Sequence, residues 1–240
     1  MAWLVALTTL LAASAVLTES SFLRRAESGP TCPNLMSTCL MPNMAKHERL
    51  FRSEAAAVAV LSNRALLGTV AGDIVNASAC IEASRAKPEC ANAYDDSEEL
   101  AAIKLMAGYL DNSDHLDLMV AAASSPCLTS REMMESGAMS VLMCYMPLME
   151  GVEMTTQTDP CQVILGLETC TVTTVESVCG QGAANLVQSL WTYMLQPQVL
   201  DTLGPLANVP SEMLAPLSTC GQQAHVVKRL AKRALDGVRK

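Results

Sequence analysis

Aromatic side chains are almost missing from this chain, with two Trp, four Tyr and two Phe among 240 residues. That scarcity argues against a β-rich core, which leans on aromatic and β-branched side chains. It also argues against nucleic-acid binding, since an acidic chain without stacking residues offers neither platform nor phosphate-tracking groove. Histidine is nearly as rare: His47, His115 and His225 stand in separate segments, and none belongs to an H-E-x-x-H pattern. C-x-x-C pairs and closely spaced histidine pairs are both absent, which removes the common zinc frameworks. The G-x-S-x-G nucleophile elbow is absent as well, and no histidine follows a cysteine pair as in a secreted phospholipase. These gaps lead to an expectation of no catalytic residue, no metal site and no cofactor. The reading is of a protein that is not an enzyme.

The first charged side chain comes late. Met1 to Leu17 carries none and consists mainly of Leu, Ala and Val. The run is short for a membrane span of about 20 residues and fits a signal-peptide core with its flanks. Ala13-Ser14-Ala15 satisfies the small-x-small rule, so residues 1–15 read as a signal peptide and Val16 as the mature N-terminus; the alternative is an uncleaved anchor. Residues 16–31 hold Arg24-Arg25 and read as a flexible arm, with dibasic processing as the competing account.

What the chain does have is cysteine. Cys32, Cys39, Cys80, Cys90, Cys127, Cys144, Cys161, Cys170, Cys179 and Cys220 all lie downstream of the apolar leader. An even count behind a signal peptide reads as five disulfides in an oxidising, extracellular setting. Ten cysteines pair in about 945 ways, so the connectivity stays open. The remaining composition is half hydrophobic, with 15 Met and abundant Ala, Leu and Val. These are helix formers and core fillers, and methionine is read here mainly as filler of an irregular interior.

Apolar periodicity predicts helices over residues 45–67, ended near Gly68, and over 74–86, stopped before Pro88. Asp95 to Glu99 opens another, because acidic groups suit the positive end of a helix dipole. Asp111 to Asp114 breaks it, and residues 116–123 resume. Thr129-x-x-Glu132 reads as a capping box that starts a helix running to about Tyr145, where Pro147 follows. The polar stretch 151–158 is the candidate internal boundary within a cysteine-rich helical domain spanning 32–240. Residues 163–179 and 183–195 read as two helices separated at Gly180-Gln181-Gly182, after which Pro197, Pro205, Pro210 and Pro216 chop the chain. The fold class is all-α, a disulfide-braced helical domain or bundle. Cys170 and Cys179 test it: nine residues apart on one helix, they point to opposite sides and lie about 13 Å apart along the axis. Each must therefore bond elsewhere, because a disulfide needs Cα atoms within about 7 Å.

Cys161-x8-Cys170-x8-Cys179-Gly180, followed by the helical stretch AANLVQSLWTYML, resembles the C-terminal signature of a cysteine-rich helical family of unknown function best known from nematode secreted proteins. The resemblance covers about residues 161–195. It implies a secreted helical disulfide domain and assigns no catalytic residue.

Three further features carry chemistry of a weaker kind. Asp111, Asp114 and Asp117 are spaced to share a helix face, but they lack the EF-hand ligand order, so they read as a solvated acidic helix start. Asn76-Ala77-Ser78 is the one N-glycosylation sequon and places Asn76 at the surface. Residues 222–240 read as a basic amphipathic helix: Lys228, Arg229, Lys232, Arg233, Arg239 and Lys240 stand against Asp236, beside an apolar stripe of Val227, Leu230, Ala234 and Val238. This tail carries +5, so the rest of the −8 chain carries −13. The charge contrast favours docking on the acidic body, or a solvated tail, over contact with a membrane. The functional expectation is a secreted, non-enzymatic interaction or small-ligand-carrying protein whose partner is an extracellular protein, glycan or apolar small molecule. A structural component of an extracellular, mineralising matrix and a secreted effector or processed precursor are the alternatives.

Overall fold

The computed structural model of the chain describes residues 32–51, 53–90, 98–149, 160–206 and Cys220. The expected signal peptide (1–15) and arm (16–31), the 151–158 stretch and the basic C-terminal segment lie outside them. The fold is almost entirely helical and carries five disulfide bonds. Contacts divide the chain between Thr129 and Ser130 into two compact units.

The first unit opens with an irregular helical run: a π-turn at Met36–Leu40, α1 (Met41–Met44) and a 3-10 segment at Ala45–Phe51. Then come α2 (Glu54–Ser62), α3 (Arg64–Arg85), a 3-10 turn at Pro88–Cys90, α4 (Glu98–Leu110), α5 (Ser113–Ala123) and α6 (Pro126–Thr129). The expected helix over 45–67 is thus interrupted, and Gly68 does not end it. The break falls at Asn63, which is extended (ψ 102°) and whose side-chain oxygen accepts from the N–H groups of Ala65 and Leu66 at 3.1 Å each. An asparagine that satisfies the orphan donors of a new first turn is a stronger punctuation than an interior glycine. Helix α3 then runs through Gly68 and Gly72 for 22 residues.

Helix α3 is the spine of this unit. Leu67, Val70, Ala71, Ile74, Ala77 and Ile81 are buried along it, and α1, α2, α4 and α5 pack against it. Full burial of each Leu, Val or Ile here contributes about 1.5–3 kcal/mol. It is also long and apolar enough to cross a membrane by length and composition, but its apolar residues form the face just described. At one end Ala77 and Ile81 join Cys32, Leu35, Cys39, Leu40, Cys90 and Leu100 in a single cluster, with Met36, Met44 and Ile103 on its rim. Two disulfides, Cys32–Cys90 and Cys39–Cys80, run through this cluster and fasten the N-terminal run to α3 and the turn after it.

The second unit is built on α7 (Arg131–Met149), α8 (Pro160–Cys179), α9 (Gln181–Met194) and α10 (Pro197–Leu206). Helix α7 is capped by Ser130, not by the expected Thr129: the Ser130 side-chain oxygen accepts from Met133 N–H at 3.4 Å and its carbonyl from Met134 N–H at 3.0 Å. Thr129 instead closes α6. Pro147 lies inside α7, which continues to Met149, and Pro205 lies inside α10. Pro197 does not interrupt structure either; it is the first residue of α10, where its fixed φ and missing N–H suit a helix start. The Gly180 hinge stands as expected, with a φ of +85°.

Helix α8 packs along both α7 and α9. Its buried residues, Cys161, Glu168, Thr171, Val175 and Cys179, recur at helical spacing. Cys170 lies off that face and bonds Cys144 of α7, while Cys161 bonds Cys220. The geometric expectation for Cys170 therefore holds: its partner is on another helix. Cys127 and Cys179 are disulfide-bonded too, and no cysteine is free. The methionines divide: most of those described are half-buried, with Met36 and Met44 packed against the cluster of the first unit. Among the described methionines Met119 is the one fully buried in the core, whereas Met41, Met139 and Met143 are 47 %, 62 % and 60 % exposed.

Candidate functional site

The most concentrated set of ionisable groups lies where the 3-10 segment Ala45–Phe51 crosses α3. Lys46 and His47 are neighbours on that segment, and Asp73 sits midway along α3 among residues that are otherwise apolar. Both Asp73 oxygens are used: Oδ1 accepts from Lys46 Nζ at 2.8 Å, and Oδ2 pairs with His47 Nε2 at 2.5 Å. His47 is 5 % exposed and Asp73 8 %, while half of the Lys46 side chain remains in solvent. Burial pushes the Asp73 carboxyl upward, but hydrogen bonds from Lys46 and His47, with their charges, outweigh it and hold the group below the usual carboxylate range.

An imidazole braced by a carboxylate is also the base–orienter pair of many hydrolases. Here the ring is buried, and the hydrogen bond the structure gives it is to Asp73. The cluster can fasten the N-terminal run to α3 by satisfying a charge that would be costly alone in the core. No such role is written in the linear sequence, where His47 is an isolated histidine and Asp73 lies 26 residues away. The one signal was a lone acid within the apolar run ALLGTVAGDIVNASA.

The other candidate residues are dispersed. Asp111 lies in the turn before Asn112, whose side-chain oxygen caps α5 by accepting from Asp114 N–H at 2.9 Å. Asp111 is therefore off the helix and does not share a face with Asp114 and Asp117. All three are exposed, and Asp117 pairs with Arg64 of α3 at 2.5 Å. His115 stacks on Tyr109 with ring centroids 4.1 Å apart, and its Nδ1–H donates to the Tyr109 carbonyl at 2.8 Å. Among the described residues no three His, Cys, Asp or Glu side chains are grouped to hold a metal ion. Asn76 is exposed on α3. Residues 222–240 are outside the described part.

One face of α7 is unusual. Glu132, Glu135, Ser136, Met139 and Met143 are exposed, and at 100° per residue they fall within a single sector of about 100°. Gly137 and Val141, on the opposite side, are buried. The stripe is acidic at its N-terminal end and methionine-lined toward its C-terminal end, a chemistry suited to receiving an apolar surface edged with positive charge.

Compared with family models, curated proteins and solved structures, the chain matches none.

Proposed function

We propose that the chain is a secreted protein that works by binding, not catalysis, with an extracellular protein, glycan or apolar small molecule as its partner. The observation that carries this reading is the oxidation state: all ten cysteines are disulfide-bonded within a helical scaffold. Such a set persists in oxidising compartments and is rare where glutathione keeps thiols reduced. The exposed methionines of α7 support binding, since methionine is over-used on adaptable surfaces. The buried His47–Asp73 pair supports it from the other side, because a ring that solvent hardly reaches is poorly placed to meet a substrate.

The test is to express the full chain with its own residues 1–15 in a secretory cell line, then take the intact mass and an organic extract of protein from the medium. The reading expects residues 16–240 with ten hydrogens lost to five disulfides. It further expects a co-purifying apolar molecule, glycan or protein. Retention in the cell with free thiols sinks the secreted part. A pure, ligand-free protein that turns over small esters or peptides sinks the binding part.

A further inference from the structure

The sequon Asn76-Ala77-Ser78 lies in the middle of α3, where the finished fold and the chemistry of sugar transfer make opposite demands. We propose that Asn76 carries an N-linked glycan that is attached while residues 64–85 are still unfolded, in competition with closure of the Cys39–Cys80 disulfide. This rests on the chain being secreted as proposed, because sugar transfer and disulfide formation belong to the same secretory route.

Three observations carry the inference. The first is room. Asn76 is exposed, and its side-chain amide has no hydrogen-bond partner among the described residues. Thr69, Gly72, Ala79 and Ala83 are exposed beside it at helical spacing, all within about 60° of Asn76 around the helix. None of them carries a long side chain, and a Cβ built at Gly72, one turn before Asn76, would meet nothing within 4 Å. The folded protein can therefore hold a sugar at Asn76 without moving a packed side chain. A bulky, solvated glycan there also keeps other proteins off the middle of this face.

The second is the helix itself. A sequon is defined by both its ends, so one enzyme site must hold the Asn76 amide and the Ser78 hydroxyl together. On α3 the two residues point about 200° apart. Ala77 between them is 1 % exposed, and Ser78 is half-buried. The helix thus presents Asn76 alone, and transfer must come before the helix. The reaction forms a bond from Asn76 Nδ2 to the anomeric carbon of the first sugar. It breaks the bond from that carbon to a lipid-linked diphosphate, which leaves while the amide gives up one proton.

The third is the lock. Ala77 belongs to the same buried cluster as Cys39, Leu40 and Ile81, and Cys80, four residues after Asn76, is bonded to Cys39. Once this bond closes, unwinding the sequon means pulling Ala77 and Ile81 out of the cluster against a covalent tie. Cys39 precedes Cys80 by 41 residues, so it is already made when Cys80 emerges. Bond closure and sugar transfer therefore compete for the same stretch of new chain.

Two measurements test this on the full chain. In the first, the native sequence and Ser78→Ala are expressed in a secretory cell line, and intact masses are taken before and after peptide-N-glycosidase. Native protein in the medium should lose a glycan and gain Asp at position 76, and Ser78→Ala should carry none. Native protein in the medium without any glycan at Asn76 overturns the proposal and leaves secretion standing. Native protein kept in the cell with free thiols overturns the secreted reading, and the proposal with it. In the second, unglycosylated native chain is collected from cells blocked in lipid-linked oligosaccharide synthesis. It is offered, folded or reduced and alkylated, to solubilised oligosaccharyltransferase with lipid-linked oligosaccharide. The reduced chain should accept sugar at Asn76 at least about ten-fold faster, because the folded chain must first open α3. Equal rates overturn the order of events. Cys39→Ala/Cys80→Ala, left unreduced, should also react faster than the folded native chain, and an unchanged rate overturns the competition with this disulfide.

Discussion

At Thr171 the second unit buries a hydroxyl oxygen that has no hydrogen-bond partner. A buried, unsatisfied hydroxyl costs about 1–3 kcal/mol, so Thr171→Val, close in shape, should stabilise the protein by roughly 1 kcal/mol. Urea unfolding checks it, and a loss of stability would show that the hydroxyl is satisfied in solution. Asp73 is the opposite case, a buried carboxylate with both oxygens bonded. Asp73→Asn should lower stability by about 1–3 kcal/mol at neutral pH, because the charge-assisted bonds to Lys46 and His47 are lost. Its folded pKa lies below the unfolded value, so the contribution is fully present above about pH 4 and fades as pH falls through the lower folded value. The gap between native and variant midpoints should therefore close as pH falls below about 4. A gap that stays at its neutral-pH size well below that range would contradict the pairing. Neither site was legible in the sequence. Thr171 is one threonine among several on α8, and the Lys46–His47–Asp73 meeting depends on how a 3-10 segment crosses a helix.

Elements were legible where a break has a local chemical cause. The turn at Asp111–Asn112 and the hinge at Gly180 stand as expected, because a capping acceptor or a positive φ is written in the residue itself. Breaks fail to be legible where two local signals compete. Gly68 lost to Asn63 because an interior glycine costs only about 1 kcal/mol, while Asn63 satisfies two orphan N–H groups. Thr129 lost to Ser130 because α6 claims Thr129 for its last turn. Prolines misled in the same way: Pro197 begins a helix, and Pro147 falls in the last turn of α7. The hinge allows the sharpest prediction. Gly180 has φ +85° and ψ 170°, a region open essentially to glycine alone, and a Cβ there would meet no atom within 4 Å. Gly180→Ala should therefore destabilise by about 1–3 kcal/mol through backbone strain alone. A loss below about 0.5 kcal/mol in chemical denaturation would mean that the α8–α9 connection relaxes away from this conformation.

Over the whole molecule the count of disulfides was readable and their pairing was not, because pairing is set by which helices lie side by side. The printed order of cysteines says nothing of Cys144 facing Cys170 until α7 and α8 are known to pack together. Once paired, the bonds differ in what they contribute. Cys144–Cys170 closes a loop of 26 residues and Cys161–Cys220 one of 59. Chain entropy alone makes the longer closure about 0.7 kcal/mol more stabilising, at about 4.2 against about 3.5 kcal/mol. Burial adds in the same direction: Cys220 is fully buried and Cys161 nearly so, whereas Cys170 is exposed. Removing the first pair thus trims a surface staple, while removing the second also leaves a gap among packed side chains. Cys161→Ala/Cys220→Ala should accordingly lose more stability than Cys144→Ala/Cys170→Ala, by about 1–2 kcal/mol in urea. Non-reducing peptide maps of both variants must first show the remaining pairs intact. Equal losses, or a larger one for Cys144 and Cys170, would mean that the α7–α8 contact holds this unit more firmly than the anchor at Cys220.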